Sequence, residues 1–422
     1  MWAAGSGARR CRLAFGAVFA VVSVAYLVIS TKLGIESEVA TVYFPYADEL
    51  IHGSIPKMEY PPFALVFIVI PRLFASTPFG YNVAFVAEVF VFFMIGLAAM
   101  GRLAKRYNRS QRRAMLVYTV SMLLMFEFVV DRYDIFPAIL TLLSFYCLIT
   151  KNYVWAFALL SVAAATKLYP AILFPIYLIP LFMDRDWSNV MKGTGVFAVT
   201  VLVIILPFVF LNSDAAFHFL SYHIDRPLQI ESTMAPFIYL VSMLGFTDVS
   251  TAFGYGSDNL VGIWPDTVAL YLTPFMFAVI VAIYSLYAYA LFWLRRNGRD
   301  NENSRTVLLI GAAVLSLMAF IIAGKVFSSQ YLIWLIPFVV FMLTMSVDYV
   351  SKNIIAVLSL SAVILTQLNF AVNVGISGGG EAVTGMGMMI IMARNIVMIV
   401  IFVYIIRMLY GNTVKRKIHV RA

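Results

Sequence analysis

Long apolar runs separated by short charged segments make up almost the whole chain. A helix that crosses a bilayer needs about 20 mostly apolar residues. The runs predict spans over 13–33, 79–103, 113–130, 134–150, 153–166, 168–183, 192–211, 267–294, 305–323, 331–347, 354–373 and 386–409. These twelve describe an all-α, polytopic transmembrane helical bundle forming one integral membrane domain over 1–422. The spans 153–166 and 168–183 are short and meet at Thr166-Lys167-Leu168-Tyr169-Pro170, where a lysine and a proline both interrupt apolar helix. A broken pair dipping to the outer half of the membrane follows. A single long helix there would invert everything after it. The apolar runs Phe63–Phe74 and Pro236–Phe246 are too short to span and predict helices lying at the interface. The first long run follows an Arg-rich segment with no small-residue cleavage site after it, so it reads as a retained signal anchor.

Charge gives the spans a direction. Of 30 Lys and Arg residues, 22 fall in one set of loops: Arg9–Arg12, Arg102–Arg113, Lys151, Arg185–Lys192, Arg295–Arg305, Lys352 and Arg407–Arg421. Cytoplasmic loops collect Lys and Arg, so that face and both termini are cytoplasmic. The other face holds a first outer loop (34–78), a second (212–266), a short turn (324–330) and a glycine-rich segment (373–384). A hydrophobic fraction of 62%, 12% charged residues and a mean hydropathy of +0.91 exclude an ordinary soluble domain. The net charge of +9 comes from sidedness and does not form a nucleic-acid stripe. Cys11 and Cys147 offer neither a disulfide framework nor zinc spacing. There is no P-loop, no dinucleotide-binding glycine pattern, no HExxH and no nucleophile elbow.

The outer face carries the candidate chemistry. Glu36, Glu38, Asp48, Glu49 and Glu59 lie close together in the first outer loop, followed by Tyr60-Pro61-Pro62. A carboxylate near lipid loses hydration and becomes a usable base near neutral pH; a solvated acidic loop is the plainer reading. Asp131-Arg132-Tyr133-Asp134 joins two spans. It reads either as an ion pair capping helices or as a site where Arg132 holds an anion oriented by the acids. Lys167 inside an apolar stretch costs a few kcal/mol, and a phosphate is a natural partner, with snorkelling as the alternative. His223, Arg226, Gln229 and Glu231, and then Lys325, Ser328, Ser329 and Gln330, add polar patches on the same face. Glu88 and Arg394 lie within spans, and together with the outer charges they fit a rival reading: a transporter or flippase for an organic anion or a lipid-linked sugar.

Several short motifs then fall in order: Glu38-Val-Ala-Thr-Val-Tyr43, Leu50-Ile-His-Gly53 leading to Glu59-Tyr-Pro-Pro62, Arg132-Tyr-Asp134, Lys167-Leu-Tyr-Pro170 and Ser329-Gln-Tyr-Leu-Ile-Trp334. In these the chain resembles the membrane-embedded C-type glycosyltransferases, most closely glycosyltransferase family 87. The resemblance implies an inverting hexosyltransferase, with mannose as the expected sugar. The donor would be a polyprenyl (dolichyl)-phosphate sugar and the acceptor a glycolipid or glycan, at the outer face of the plasma membrane. It implies no cofactor and no metal, because the leaving group is already a lipid phosphate. The family's base is an aspartate near the start of the Val-x-x-Tyr segment. Here Glu38 and Glu36 stand nearest, one residue further from Tyr43 than that pattern has, and Asp48 is the loop's only aspartate. Lys167, Arg132, His223, Arg226 and Lys325 are the implied donor-phosphate ligands. Glu59, Tyr60, Asp134, Tyr169, Glu231 and Gln330 are the residues implied to position substrate.

Overall fold

The computed structural model describes residues 2–35, 37–346, 348–377 and 385–414. The chain is a helical bundle. Among the described residues, seven helices are long and apolar enough to cross a membrane: Gly7–Leu33, Pro78–Arg106, Trp187–Leu211, Ile263–Arg296, Glu302–Ile322, Tyr349–Val372 and Gly385–Leu409. Four shorter apolar helical stretches accompany them: Ile135–Ile149, Tyr153–Thr166, Tyr169–Met183 and Ser329–Met345. These eleven answer to eleven of the expected spans. The twelfth, expected over 113–130, is two helices, Gln111–Leu124 and Phe126–Val130, broken at Met125. The protein is therefore a multi-pass membrane protein.

Two compact units emerge. The first comprises Met1–Ile224 with Ile333–Met345. Stacked rings hold its N-terminal helices together: Phe19 lies on Phe93 at 4.1 Å and Phe67 on Phe136 at 4.9 Å. Helices Ile135–Ile149 and Tyr153–Thr166 are pinned by Ser144 Oγ, which donates to the Ala156 carbonyl at 2.6 Å. Such a bond satisfies a hydroxyl that has no water to turn to. Helix Trp187–Leu211 lies against Tyr153–Thr166 at Gly193, where a Cβ would collide with the Phe157 ring. The first outer loop folds as a π-helical turn (Val39–Tyr43), a helix (Phe44–Ile51) and the expected short helix (Ala64–Arg72).

The second unit comprises Asp225–Leu332 and Ser346–Ala422. It contains a small antiparallel sheet, ordered β1 (Leu228–Gln229), β3 (Ser257–Val261), β2 (Ser250–Gly254), a local addition to the helical bundle in a segment whose sequence predicted only the short helix over 236–246. The β2–β3 hairpin turns on Tyr255 and Gly256, both at positive φ (54° and 64°), the signature of a type I′ turn. Leu228 and Leu260 of the sheet pack with Ile238, Leu272, Met388 and Ile391 of three helices, Ala235–Met243, Ile263–Arg296 and Gly385–Val414. Helix Tyr349–Ser377 runs past the predicted end at 373. The remainder of the glycine-rich outer segment, 378–384, lies outside the described residues.

The Gly193–Phe157 contact leaves no room for a side chain. Gly193→Leu should cost about 1–3 kcal/mol, the usual range for an overpacked helix crossing. A clear drop in Tm of the purified protein in detergent would register it; an unchanged Tm would mean that the crossing opens easily.

Candidate functional site

Breaks in apolar helices create the site in the first unit. Helix Tyr153–Thr166 ends at Lys167, whose backbone is extended (φ −152°, ψ 139°), and Pro170 opens a short 3₁₀ turn, Tyr169–Leu173. Asp134 stands at the N-terminus of helix Ile135–Ile149. Each charge therefore meets the helix end of opposite partial charge, the ammonium at a C-terminus and the carboxylate at an N-terminus. The two bond directly, Lys167 Nζ to Asp134 Oδ1, at 2.6 Å. The Asp134 side chain is 1% exposed and that of Lys167 13%.

Aromatic rings enclose this pair. The Lys167 ammonium lies over Tyr133 (4.8 Å), Trp334 (5.1 Å) and Tyr60 (5.4 Å), within cation–π range. Trp334 Nε1 donates to the same Asp134 oxygen at 2.6 Å. Its indole is stacked flat on Tyr169, 4.0 Å apart and 6° from parallel. Tyr60 and Tyr43 pack on Tyr133, with ring centres 4.4 and 5.9 Å away. The Phe63 amide donates to the Ala165 carbonyl and ties the first outer loop to the helix break.

The turn Asp131–Asp134 also holds the start of the first outer loop. Arg132 forms an ion pair with Glu38, and both side chains are 24% exposed. Ser37 Oγ donates to Asp131, whose other oxygen accepts from the Glu38 amide at 3.3 Å. Burial pushes the Asp131 carboxyl up to about 6, against the lowering effect of Ser37 and of the backbone N–H of Val39. Further along the loop Tyr46 Oη donates to Glu59 Oε2 at 2.9 Å. Burial first, and then Glu59, push the Tyr46 phenol up and keep it a donor. Asp48 is engaged elsewhere. Arg72 grips its Oδ1 twice (2.8 and 3.1 Å), and His52 lies 3.6 Å from Oδ2.

Glu38, Arg132, Tyr60, Asp134, Lys167 and Tyr169 thus form one connected cluster. Glu36 lies outside the described residues. His223, half-buried on helix Ser213–Asp225, packs edge-on to Tyr222. Arg226, Glu231, Lys325 and Gln330 belong to the second unit. There Arg226 donates to Ser257 (2.9 Å), and burial pulls the Lys325 ammonium down, with Arg226 adding to the effect. Gln330 is half-buried in a 3₁₀ turn, Ser329–Tyr331. Glu231 accepts from Arg394 (2.7 Å) and Ser329 (2.7 Å), while its carbonyl takes bonds from Arg394 and Asn395. Sequence reasoning assigned no role to Trp334, Arg72 or Asn395. Of these, only Trp334 carried a signal, as the last residue of Ser329–Trp334.

The class is a polytopic membrane protein whose first unit gathers acids, bases and aromatic rings where its helices break. The sequence profile of glycosyltransferase family 87 matches residues 59–322, and the chain belongs to that family of membrane glycosyltransferases. Among solved structures, ArnT from Cupriavidus metallidurans bound to undecaprenyl phosphate aligns at 15% identity and a TM-score of 0.46, over 94% of this chain and 78% of that one. No curated protein is significantly similar.

Lys167→Met leaves Asp134 buried without its cation, at a cost of about 3–5 kcal/mol, so little folded protein should be recovered. Replacing both charges, Lys167→Met with Asp134→Asn, should restore a monodisperse protein that does not turn over. Recovery of activity in the double variant would show that the pair is purely architectural.

Proposed function

We propose that the chain transfers a hexose, mannose in our reading, from a polyprenyl-phosphate-linked donor to a hydroxyl of a glycolipid or glycan, with inversion, at the outer face of the plasma membrane. Family membership supports sugar transfer, and the one-sided Lys and Arg distribution supports the outer placement. The observation that carries the mechanism is the adjacency of an acid–arginine pair, Glu38–Arg132, to a caged lysine, Lys167, through the turn 131–134.

The step has a simple balance. Glu38 takes the acceptor's hydroxyl proton, and the oxygen attacks the anomeric carbon from the face opposite the phosphate. The bond from that carbon to the phosphate oxygen breaks, and the lipid phosphate leaves with one more negative charge. One base with attack from a single side gives inversion without a covalent sugar intermediate. Lys167 and Arg132 offset the added charge, the term that usually matters most in such transfers. Arg132 has two suitors, Glu38 and the donor phosphate. When it turns to the phosphate, Glu38 is released to act as base. In this reading Tyr60, whose ring faces Lys167, and Tyr169, stacked on Trp334, position the donor beside the lysine, and Tyr46 holds Glu59 for the acceptor. Asp48, gripped by Arg72, is the weaker candidate for the base.

Glu38→Gln should lower kcat at least 100-fold in transfer from polyprenyl-phosphate [³H]mannose, the scale of a lost general base, while donor KM changes little. Asp48→Asn should stay within about tenfold of wild type by the same measure of a lost base. The reverse ranking would move the base to Asp48.

Asp131 supplies a pH dependence. Its carboxyl loses its proton near 6 in the fold and near 3.8 when free. Above 6 the carboxylate accepts from Ser37 and from the Glu38 amide, so kcat/KM should rise through pH 6 to a plateau. Stability runs the other way. The folded state holds the proton more tightly, so its stabilising effect is complete below about 3.8 and is lost as pH rises through 6. Asp131→Asn should flatten both limbs. An unchanged acid limb in kcat/KM would assign it to another group.

A further inference from the structure

One cavity of the first unit has no part in the chemistry above. A cleft of about 400 Å³ lies between Lys57 of the first outer loop and one side of helix Ser213–Asp225, and Ser213, Asp214, Phe217, His218 and Ser221 complete its lining. Its size falls within the range of small-ligand sites. Phe217 is 45% exposed, a large ring left open at a polar wall. Ser221 Oγ donates to the His218 carbonyl at 2.9 Å, so its oxygen keeps acceptor capacity towards the cleft.

The chemistry of the lining selects its ligand. An ammonium and a carboxylate face one opening, so neither an anion nor a cation is favoured as a whole. Two serine hydroxyls and an imidazole donate and accept at short reach, which suits a ligand with many hydroxyls. An exposed aromatic ring offers an apolar face to the C–H side of a pyranose. A lipid chain would find too much polarity here, and a phosphate would meet Asp214.

The cleft also borders the stretch of loop that leads to Glu59. Lys57 is two residues before Glu59, whose carboxylate accepts from Tyr46. Tyr222, next to Ser221, is close enough to Tyr46 to act on its phenol. We infer that this cleft is a carbohydrate subsite that holds a sugar residue of the acceptor. The inference rests on the transferase reading above and adds the place where the acceptor binds.

The test is binding of methyl α-mannopyranoside to the whole chain in nanodiscs, read by saturation-transfer NMR, with methyl α-glucopyranoside alongside and inorganic phosphate added as a competitor. Wild type should give saturation transfer to a glycoside that an excess of phosphate does not displace. Ser221→Trp, which fills the cleft from an exposed helix position, should reduce the glycoside signal at least fivefold with Tm unchanged. Phe217→Ala should weaken it as well. In turnover with the same glycoside as acceptor, Ser221→Trp should raise acceptor KM at least tenfold and leave donor KM as in wild type. Glycoside binding that survives Ser221→Trp, or no binding to wild type, overturns the subsite; so does displacement of the glycoside by phosphate. Glycoside binding abolished by Ser221→Trp in a protein that transfers no sugar would uphold the subsite and overturn the transferase reading.

Discussion

The site of the first unit is organised around two opposite charges taken out of water together. Removing an ammonium or a carboxylate from water costs several kcal/mol each, and the attraction between them repays this only with good geometry and further hydrogen bonds. Lys167 and Asp134 meet both conditions. They touch at 2.6 Å, Trp334 gives the carboxylate a second donor, and aromatic faces line the ammonium. The helices obey the pair. One stops where Lys167 is needed and another starts where Asp134 is needed, so each charge also meets a favourable helix end. The short, proline-broken helices are the means by which helix ends reach that depth. A continuous span has its backbone groups already bonded to one another and offers none. The same rule operates in the second unit, where the fully buried Arg394 is held by Glu231 and Asn395 and lies over the Phe327 ring at 3.9 Å.

How much of this was legible in the sequence follows from the physics of each element. The spans were readable because bilayer thickness fixes their length. The break at 166–170 was readable because a lysine and a proline both violate an apolar helix. The break at Met125 has neither residue, nor a glycine beside it, and so left no trace in composition. The small sheet was hidden for a related reason. Its hairpin turns on Tyr255-Gly256, with a tyrosine at φ 54° where asparagine or aspartate is the usual signal, and β3 carries Ser, Asp and Asn.

Within the site, residue types were legible and partners were not. Glu38, Arg132, Asp134 and Lys167 stood out as charges beside apolar runs. That Lys167 bonds Asp134, 33 residues away, or that Trp334 bonds Asp134 across 200, is a fact of packing alone. Trp334 had no evident role because an indole N–H needs a partner only when buried, and its burial could not be seen in advance. Arg394 suggested a transport pathway, since a lone arginine inside a span usually marks one. Its partner Glu231 is 163 residues distant, and once paired it reads as a brace between a helix and an outer loop. Asp48, attractive as the loop's only aspartate, is occupied by Arg72, whose position on a short interfacial helix gave no hint of that grip.

The pairing of Glu38 with Arg132 bears on how a base can wait at a membrane surface. A carboxylate alone near lipid loses hydration, takes up a proton and ceases to be a base. Beside a guanidinium the carboxylate has a cation for a partner, but its oxygens are occupied. A phosphate in the donor competes for the same guanidinium, and Arg presents a planar fork that suits phosphate as well as carboxylate. In the proposed mechanism, donor binding therefore removes the restraint on Glu38 at the moment an acceptor can be used. With no donor present the base stays masked and water is not activated. Lysine in place of Arg132 would pair with Glu38 as a point charge, yet it could not exchange one planar partner for another with the same geometry. In that proposal the masked base and the caged ammonium are two solutions to one constraint: a charge taken out of water persists only in company, and the proposed catalysis consists in changing the company.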